Sequence, residues 1–175
     1  MRTLPVALST AGMAAAGLAA VAAPALAADL TVSVEIPTIA TANYHRPYVA
    51  IWIERADQSA ERTLAVWYDV DLPGGEGKDY LKDLRTWWRK GGRAMTMPAD
   101  GVSGATRAPG RQSVTIPAAR LRTLAANQYN IVVEAAREQG GREAVRVPFR
   151  WGGGAATTNA AGTTELRNVR VAVSR

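Results

Sequence analysis

Apolar and polar residues alternate with period two over most of the chain beyond residue 28, and this constrains the fold more than any other feature. In "LTVSVEI", Leu30, Val32, Val34 and Ile36 fall on one face and Thr31, Ser33 and Glu35 on the other. Successive strand side chains point to opposite faces, so the pattern predicts a strand with one face in a core. "TLAVWYDV", "SVTI", "YNIVVEA", "AVRVPF" and "VRVAV" read the same way, while "YVAIWIE" is nearly continuous apolar and predicts a central strand. Seven strands separated by Gly, Pro, Asn and Asp clusters predict an all-β fold, an antiparallel β-sandwich, in preference to an α/β one.

"LRTLAANQYNIVVEA" sharpens that expectation. Leu121 and Leu124 fall in a short crossing segment, and Tyr129 starts the strand that continues through Ile131 and Val133. The arrangement resembles the tyrosine corner of immunoglobulin-like sandwiches, although an ordinary core tyrosine fits the same spacing. One stretch departs from period two. In "KDYLKDLRTWWRK", Tyr80, Leu81, Leu84, Trp87 and Trp88 share one helical face, which predicts a short helix near residues 79–90 closed by Gly91-Gly92. The next stretch, "GGRAMTMPADGVSGATRAPGRQ", has no periodicity and predicts a long loop of the kind that carries function. "WGGGAATTNAAGTT" predicts a flexible connection before the last strand.

Residues 1–27 end in Ala25-Leu26-Ala27 after Arg2 and a long run of Ala, Leu, Val and Gly. A positive start, an apolar segment and a small-x-small cleavage site together predict a secretory signal peptide, a mature protein beginning near Ala28 or Asp29, and a periplasmic location. Residues 28–175 then form a single domain. The chain has no cysteine, which removes lipoprotein attachment, disulfides, thiol nucleophiles and thiolate metal sites. Lys and Arg number 21 against 15 acids, but the two signs interleave along the chain, as in "EAAREQGGREAVRVPFR". That pattern reads as solvated faces and not as a nucleic-acid surface.

A hydrolytic triad would have to use His45, the single histidine, and no Gly-x-Ser-x-Gly elbow accompanies it. His45 reads as a hydrogen-bonded structural residue or a strand-edge side chain. "DVDLPGGEGKD" lacks the acid order of a calcium-binding EF-hand loop, and no acid cluster has metal-ligand spacing. The composition therefore points away from an enzyme with its own catalytic constellation.

Asp100-Gly101-Val102-Ser103-Gly104-Ala105-Thr106 fits the pattern Asp-x-x-Ser/Thr-Gly-Ala-Thr/Ser. It resembles the attachment motif of covalently flavinylated bacterial proteins, such as the FMN-binding subunits of sodium-pumping quinone reductases. The resemblance implies that a periplasmic flavin transferase esterifies the phosphate of FMN to Thr106, with Asp100, Ser103, Gly104 and Ala105 as recognition residues. The residue types suit that chemistry: a phosphoester needs a hydroxyl, Gly104 and Ala105 keep the approach narrow, and Asp100 can cap backbone amides or orient the acceptor. The motif's surroundings differ from those of the FMN-binding domains, since "RAPG" follows it where another Ser or Thr is usual.

"YHRPYVAIWIE", "LKDLRTWWRKGG", "DGVSGATRAPG" and "YNIVVEAAREQGGRE" resemble blocks of a bacterial family of predicted periplasmic proteins of unassigned function. Members are commonly encoded near flavin transferases and membrane proteins with PepSY-type domains, which implies those partners and an envelope electron-transfer setting. With FMN attached, Trp87 or Trp88 could stack on the isoalloxazine or simply belong to the core. Arg93, Arg107 and Arg111 could neutralise the phosphate or be solvated loop charges. Two functions follow: an exported carrier of electrons with covalent FMN, or a cofactor-free β-sandwich binding module.

Overall fold

A computed structural model of the chain describes residues 28–174, and the expected signal peptide at 1–27 lies outside them. Two sheets stack face to face. The four-stranded sheet runs β5 (Gly110–Ile116), β1 (Leu30–Ile36), β9 (Asn168–Val173), β8 (Ala156–Ala161). The five-stranded sheet runs β4 (Ser103–Ala105), β3 (Ala60–Tyr68), β2 (Tyr48–Glu54), β6 (Asn127–Ala136), β7 (Arg142–Trp151). All neighbouring strands pair antiparallel except β3 and β4, which run parallel, with Val66, Trp67 and Tyr68 opposite Ser103, Gly104 and Ala105.

The alternation in the sequence becomes the core between the sheets. Leu30, Val32, Val34 and Ile36 of β1 pack with Val49, Ile51 and Ile53 of β2, Ile131, Val133 and Ala135 of β6, and Val169, Val171 and Val173 of β9. The corner at Tyr129 is present. Its ring is buried against Phe149, and its hydroxyl donates to the carbonyl of Ala125 at 3.0 Å, tying the crossing segment to the start of β6. Tyr129→Phe is expected to cost about 1 kcal/mol, the usual net worth of one such hydrogen bond, as a shift in the urea midpoint. An unchanged midpoint would remove the tie while leaving the sandwich intact.

The nearly continuous apolar run of β2 has a second cause. Its other face, Ala50 and Trp52, joins Val66, Tyr68 and Val132 in a second core covered by the segment between β3 and β4. That segment supplies Leu81, Leu84, Trp87 and Met97. It is not the single helix over 79–90 that the spacing predicts. Tight 3-10 turns occupy Pro73–Asp83, a break falls at Leu84, and α1 spans only Arg85–Lys90. Gly74 and Gly75 have left-handed φ of 69° and 73°, which interrupts regular helix.

A buried carboxylate sets where α1 begins: Glu134 of β6 accepts from the backbone amides of Thr86 at 3.0 Å and Trp87 at 2.8 Å. At the other end, Lys90 reaches the buried Glu54 of β2 at 2.7 Å, which Arg146 also binds at 3.0 Å. The short helix is pinned at both ends to the outer face of the sheet.

Two expectations for irregular segments need correction. "WGGGAATTNAAGTT" is not a flexible connection, because Ala156–Ala161 forms β8 and pairs along its length with β9. The stretch after α1 is not wholly irregular either, since it holds a 3-10 turn at Gly92–Ala94, β4 at the sheet edge and the first residues of β5. β8 and β4 lack alternating apolar residues, and both lie where only one neighbour is needed.

Candidate functional site

The Asp100–Thr106 motif is a turn followed by an edge strand. The carbonyl of Ala99 accepts from the amides of Val102 and Ser103, and Ser103 Oγ accepts from the amide of Ala99 at 2.9 Å. The turn is thus closed by Ser103, and Asp100 is exposed. Gly101 takes a left-handed φ of 66°, a conformation that favours glycine, and its carbonyl accepts from Arg120 at 2.8 Å. The strand is fastened at its two ends: Val66 N–H donates to the Val102 carbonyl at 2.9 Å, and Thr106 N–H to the Tyr68 carbonyl at 3.1 Å. Gly104 lies against the Trp67 ring, where an added Cβ would sit 3.3 Å from Cδ1. The missing side chain of Gly104 thus lets β4 lie close against Trp67.

Pairing with β3 delivers half-buried Thr106 to the wall of a cleft of about 520 Å³. Tyr44, His45, Arg46 and Tyr48 line it from the segment entering β2, and Asp69, Leu72, Glu76, Tyr80 and Asp83 from the segment leaving β3. Ala136, Arg137 and Glu138 line it from the end of β6. Tyr80 is 48% exposed, the one exposed large hydrophobic side chain among the described residues. The lining is thus aromatic and polar, with four carboxylates against two arginines and His45.

One of those arginines is already engaged. Arg137 donates to both oxygens of the buried Glu165 at 3.0 Å each, and its guanidinium lies 5.9 Å from the centre of the Tyr44 ring. Glu165 is itself held by a turn that Glu143 organises. The Glu143 carboxylate accepts from the amides of Thr163, Thr164, Glu165 and Leu166 and from the Thr163 hydroxyl, at 2.6–3.0 Å. Partial burial would raise the Glu143 pKa, but these donors outweigh it and bring the group from its ordinary 4.5 down to about 2.

A depressed folded pKa gives stability that is fully present above about pH 4.5 and lost as pH falls towards 2. The parent is therefore expected to lose about 1–2 kcal/mol more than Glu143→Gln over that window, a figure discounted for the solvent still reaching the carboxylate. Parallel urea titrations of the two proteins at pH 5 and pH 2.5 measure the difference. Identical pH profiles would exclude this role for Glu143.

The hydroxyls of Tyr44 and Tyr48 stay protonated at neutral pH. Burial pushes Tyr44 above its ordinary 10, partly offset by the charge of Arg137. Burial raises Tyr48 too, against a backbone hydrogen bond from Asp69. Tyr44 Oη is buried and has no hydrogen-bond partner among the described residues. A buried phenol without a partner is costly, and an acceptor delivered by a ligand would satisfy it.

The residues named from sequence scatter relative to this cleft. Thr106 and His45 line it, and His45 Nδ1 stands 3.4 Å from Glu138 Oε2. Trp87 belongs to the second core, 2% exposed, with its ring N–H donated to Thr63 Oγ1 at 3.0 Å, so its ring is not free to stack on a ligand. Trp88 packs beside it, and neither lines the cleft. Arg93 is exposed after α1. Arg107, next to the acceptor, lies 5.4 Å over the Trp67 ring. Arg111 is on β5 of the opposite sheet, where it lines a smaller hollow with Ser33, Asn168 and Arg170. Sequence reasoning missed Tyr44, Arg46, Tyr48, Tyr80 and Arg137, whose convergence depends on three separate segments. A cue was present in the aromatic and basic cluster "YHRPY".

No group of three or more His, Asp or Glu side chains able to hold a metal occurs among the described residues. No helix among them is long and apolar enough to cross a membrane. A family model described as "Predicted periplasmic protein (DUF2271)" matches residues 29–168. No curated protein and no solved structure matches the chain.

Proposed function

The chain belongs to the DUF2271 family of predicted periplasmic proteins, and from that premise we propose that it is an exported flavoprotein that carries FMN on Thr106 and passes electrons in the cell envelope. The observation that carries this reading is the coincidence of two independent features. Thr106, the residue that the motif nominates as acceptor, lines the aromatic cleft.

The attachment chemistry is a phosphoryl transfer from FAD, catalysed by a flavin transferase. The Thr106 oxygen forms a bond to the phosphorus of the FMN half, the pyrophosphate bond breaks, AMP leaves, and the hydroxyl proton passes to solvent. An edge position suits this, because β4 is three residues long and has one free side. Exposed Asp100 is free to meet the transferase, while Ser103 shapes the turn. Bound FMN would supply the redox chemistry, and the protein its attachment and surroundings. The residues present fit such a group: an acceptor hydroxyl, a row of tyrosines, and a buried phenol lacking an acceptor. PepSY-type membrane proteins are the proposed electron partners, on the strength of the family resemblance.

The test is whether flavin stays with the protein after denaturation, when the chain is exported together with a flavin transferase. Mass spectrometry should find one FMN ester on the peptide spanning Asp100–Thr106. A flavin-free product under those conditions overturns the reading.

Asp69, Glu76, Asp83 and Glu138 favour a second function, a cofactor-free binding module. Tyrosines beside carboxylates can cage a cationic amine. That module would be colourless and would bind its ligand without any transferase.

A further inference from the structure

Beyond the attachment point, we propose that the cleft is the seat of the flavin ring itself: the isoalloxazine on Thr106 docks among Tyr44, Tyr48 and Tyr80. This rests on the flavoprotein reading and adds a binding site to it. A phosphoester fixes only one end of FMN, and a tethered ring either swings in solvent or finds a surface. Thr106 lines the cleft directly, so the tether starts inside the site.

Charge sorts which end of the cofactor enters. The cleft carries Asp69, Glu76, Asp83 and Glu138, whereas one of its two arginines is already neutralised by Glu165. An anionic phosphate deep in such a lining would be repelled, while the uncharged oxidised isoalloxazine would not. The phosphate thus belongs at the Thr106 wall, and the ring belongs farther in.

Two further observations point to an aromatic ligand bearing hydrogen-bond acceptors. Tyr80 stands at the cleft with nearly half its surface in solvent, where a second ring could cover it by offset stacking. Tyr44 Oη is a buried donor with no acceptor among the described residues, and it is held protonated by burial. The carbonyl oxygens and ring nitrogens of an isoalloxazine supply the missing acceptor. Tyr44 is also braced, since Arg137 lies over its ring and is fixed in turn by Glu165.

Stacked tyrosine quenches flavin fluorescence, which gives a readout independent of electron-transfer activity. In the flavinylated parent, fluorescence should rise several-fold on unfolding in urea, and iodide should quench the folded protein less than free FMN. Tyr80→Ala should recover part of that fluorescence and admit iodide while the amount of FMN ester, read by mass, stays unchanged. Tyr44→Phe, which keeps the ring and removes only the hydroxyl, should shift the flavin absorption bands. An attached flavin as bright and as iodide-accessible as free FMN, in parent and variants alike, overturns the docking and leaves the attachment standing. Absence of any ester on Thr106 overturns the attachment and the docking together.

Discussion

Thr106→Ala is expected to abolish covalent flavin completely, because a phosphoester cannot form without the hydroxyl. Thr106→Ser should retain part of it. Neither change should disturb the fold much. The tie from this residue to β3 is its backbone N–H to the Tyr68 carbonyl, which survives any side chain except proline. The side chain is only half-buried, so a stability change below about 1 kcal/mol is expected for each variant without flavin. Ser103 is a poor substitute acceptor. Its hydroxyl already receives the Ala99 amide, and it precedes the Gly104-Ala105 step instead of following it. Mass spectrometry of the denatured proteins, with a peptide map across residues 91–112, decides the matter. Flavin on Ser103 or on exposed Thr96 would keep the redox reading and move the site. A parent that never acquires flavin would favour the binding module.

Much of this fold is legible in the sequence because water does the sorting. A strand with one face in a core must alternate, so β1, β5, β7 and β9 announce themselves, whereas β6, like β2, is covered on both faces. The unbroken apolar run of β2 is equally informative once both of its faces prove to be covered. β4 and β8 escape the same logic. "SGA" and "ATTNAA" bury little, and their pairing is dictated by the neighbours β3 and β9. The helical spacing of Leu81, Leu84 and Trp87 correctly marks a covered face, yet it cannot show that the chain changes from 3-10 turns to α-helix between them. That switch depends on Glu134, which is 48 residues away from Thr86 in sequence.

The candidate site divides in the same way. An acceptor motif is local, so Thr106 can be found by inspection. Its surroundings are not local, and nearness in sequence proves a poor guide to them. Trp87, Trp88 and Arg93 precede the motif by fewer than about twenty positions but face the second core or solvent, whereas Tyr44 and Arg137 come from distant segments. Strand pairing decides who meets Thr106, and a parallel edge strand in an otherwise antiparallel sandwich is not something that alternation reveals.

The buried carboxylate that starts α1 should carry the largest stability effect among the polar residues. Glu134 is 0% exposed and accepts from the amides of Thr86 and Trp87 and from Arg142 at 2.8 Å. The first amides of a helix have no partner within it, and here they point into the outer face of a sheet, away from solvent. Glu134→Ala would strand both. Arg142 is 39% exposed and can turn to water, so most of the cost falls on the two amides and on the hole left beside Trp87. Two unsatisfied donors at about 1–3 kcal/mol each put the loss at about 2–6 kcal/mol, a large share of the roughly 5–15 kcal/mol of a whole domain. Glu134→Gln keeps one good acceptor and should lose about half as much. Urea unfolding followed by tryptophan fluorescence tests the pair, since Trp87 sits directly on the affected turn. A loss below about 1 kcal/mol for Glu134→Ala would mean that apolar packing of Leu81, Leu84 and Trp87 alone holds this layer on the sheet.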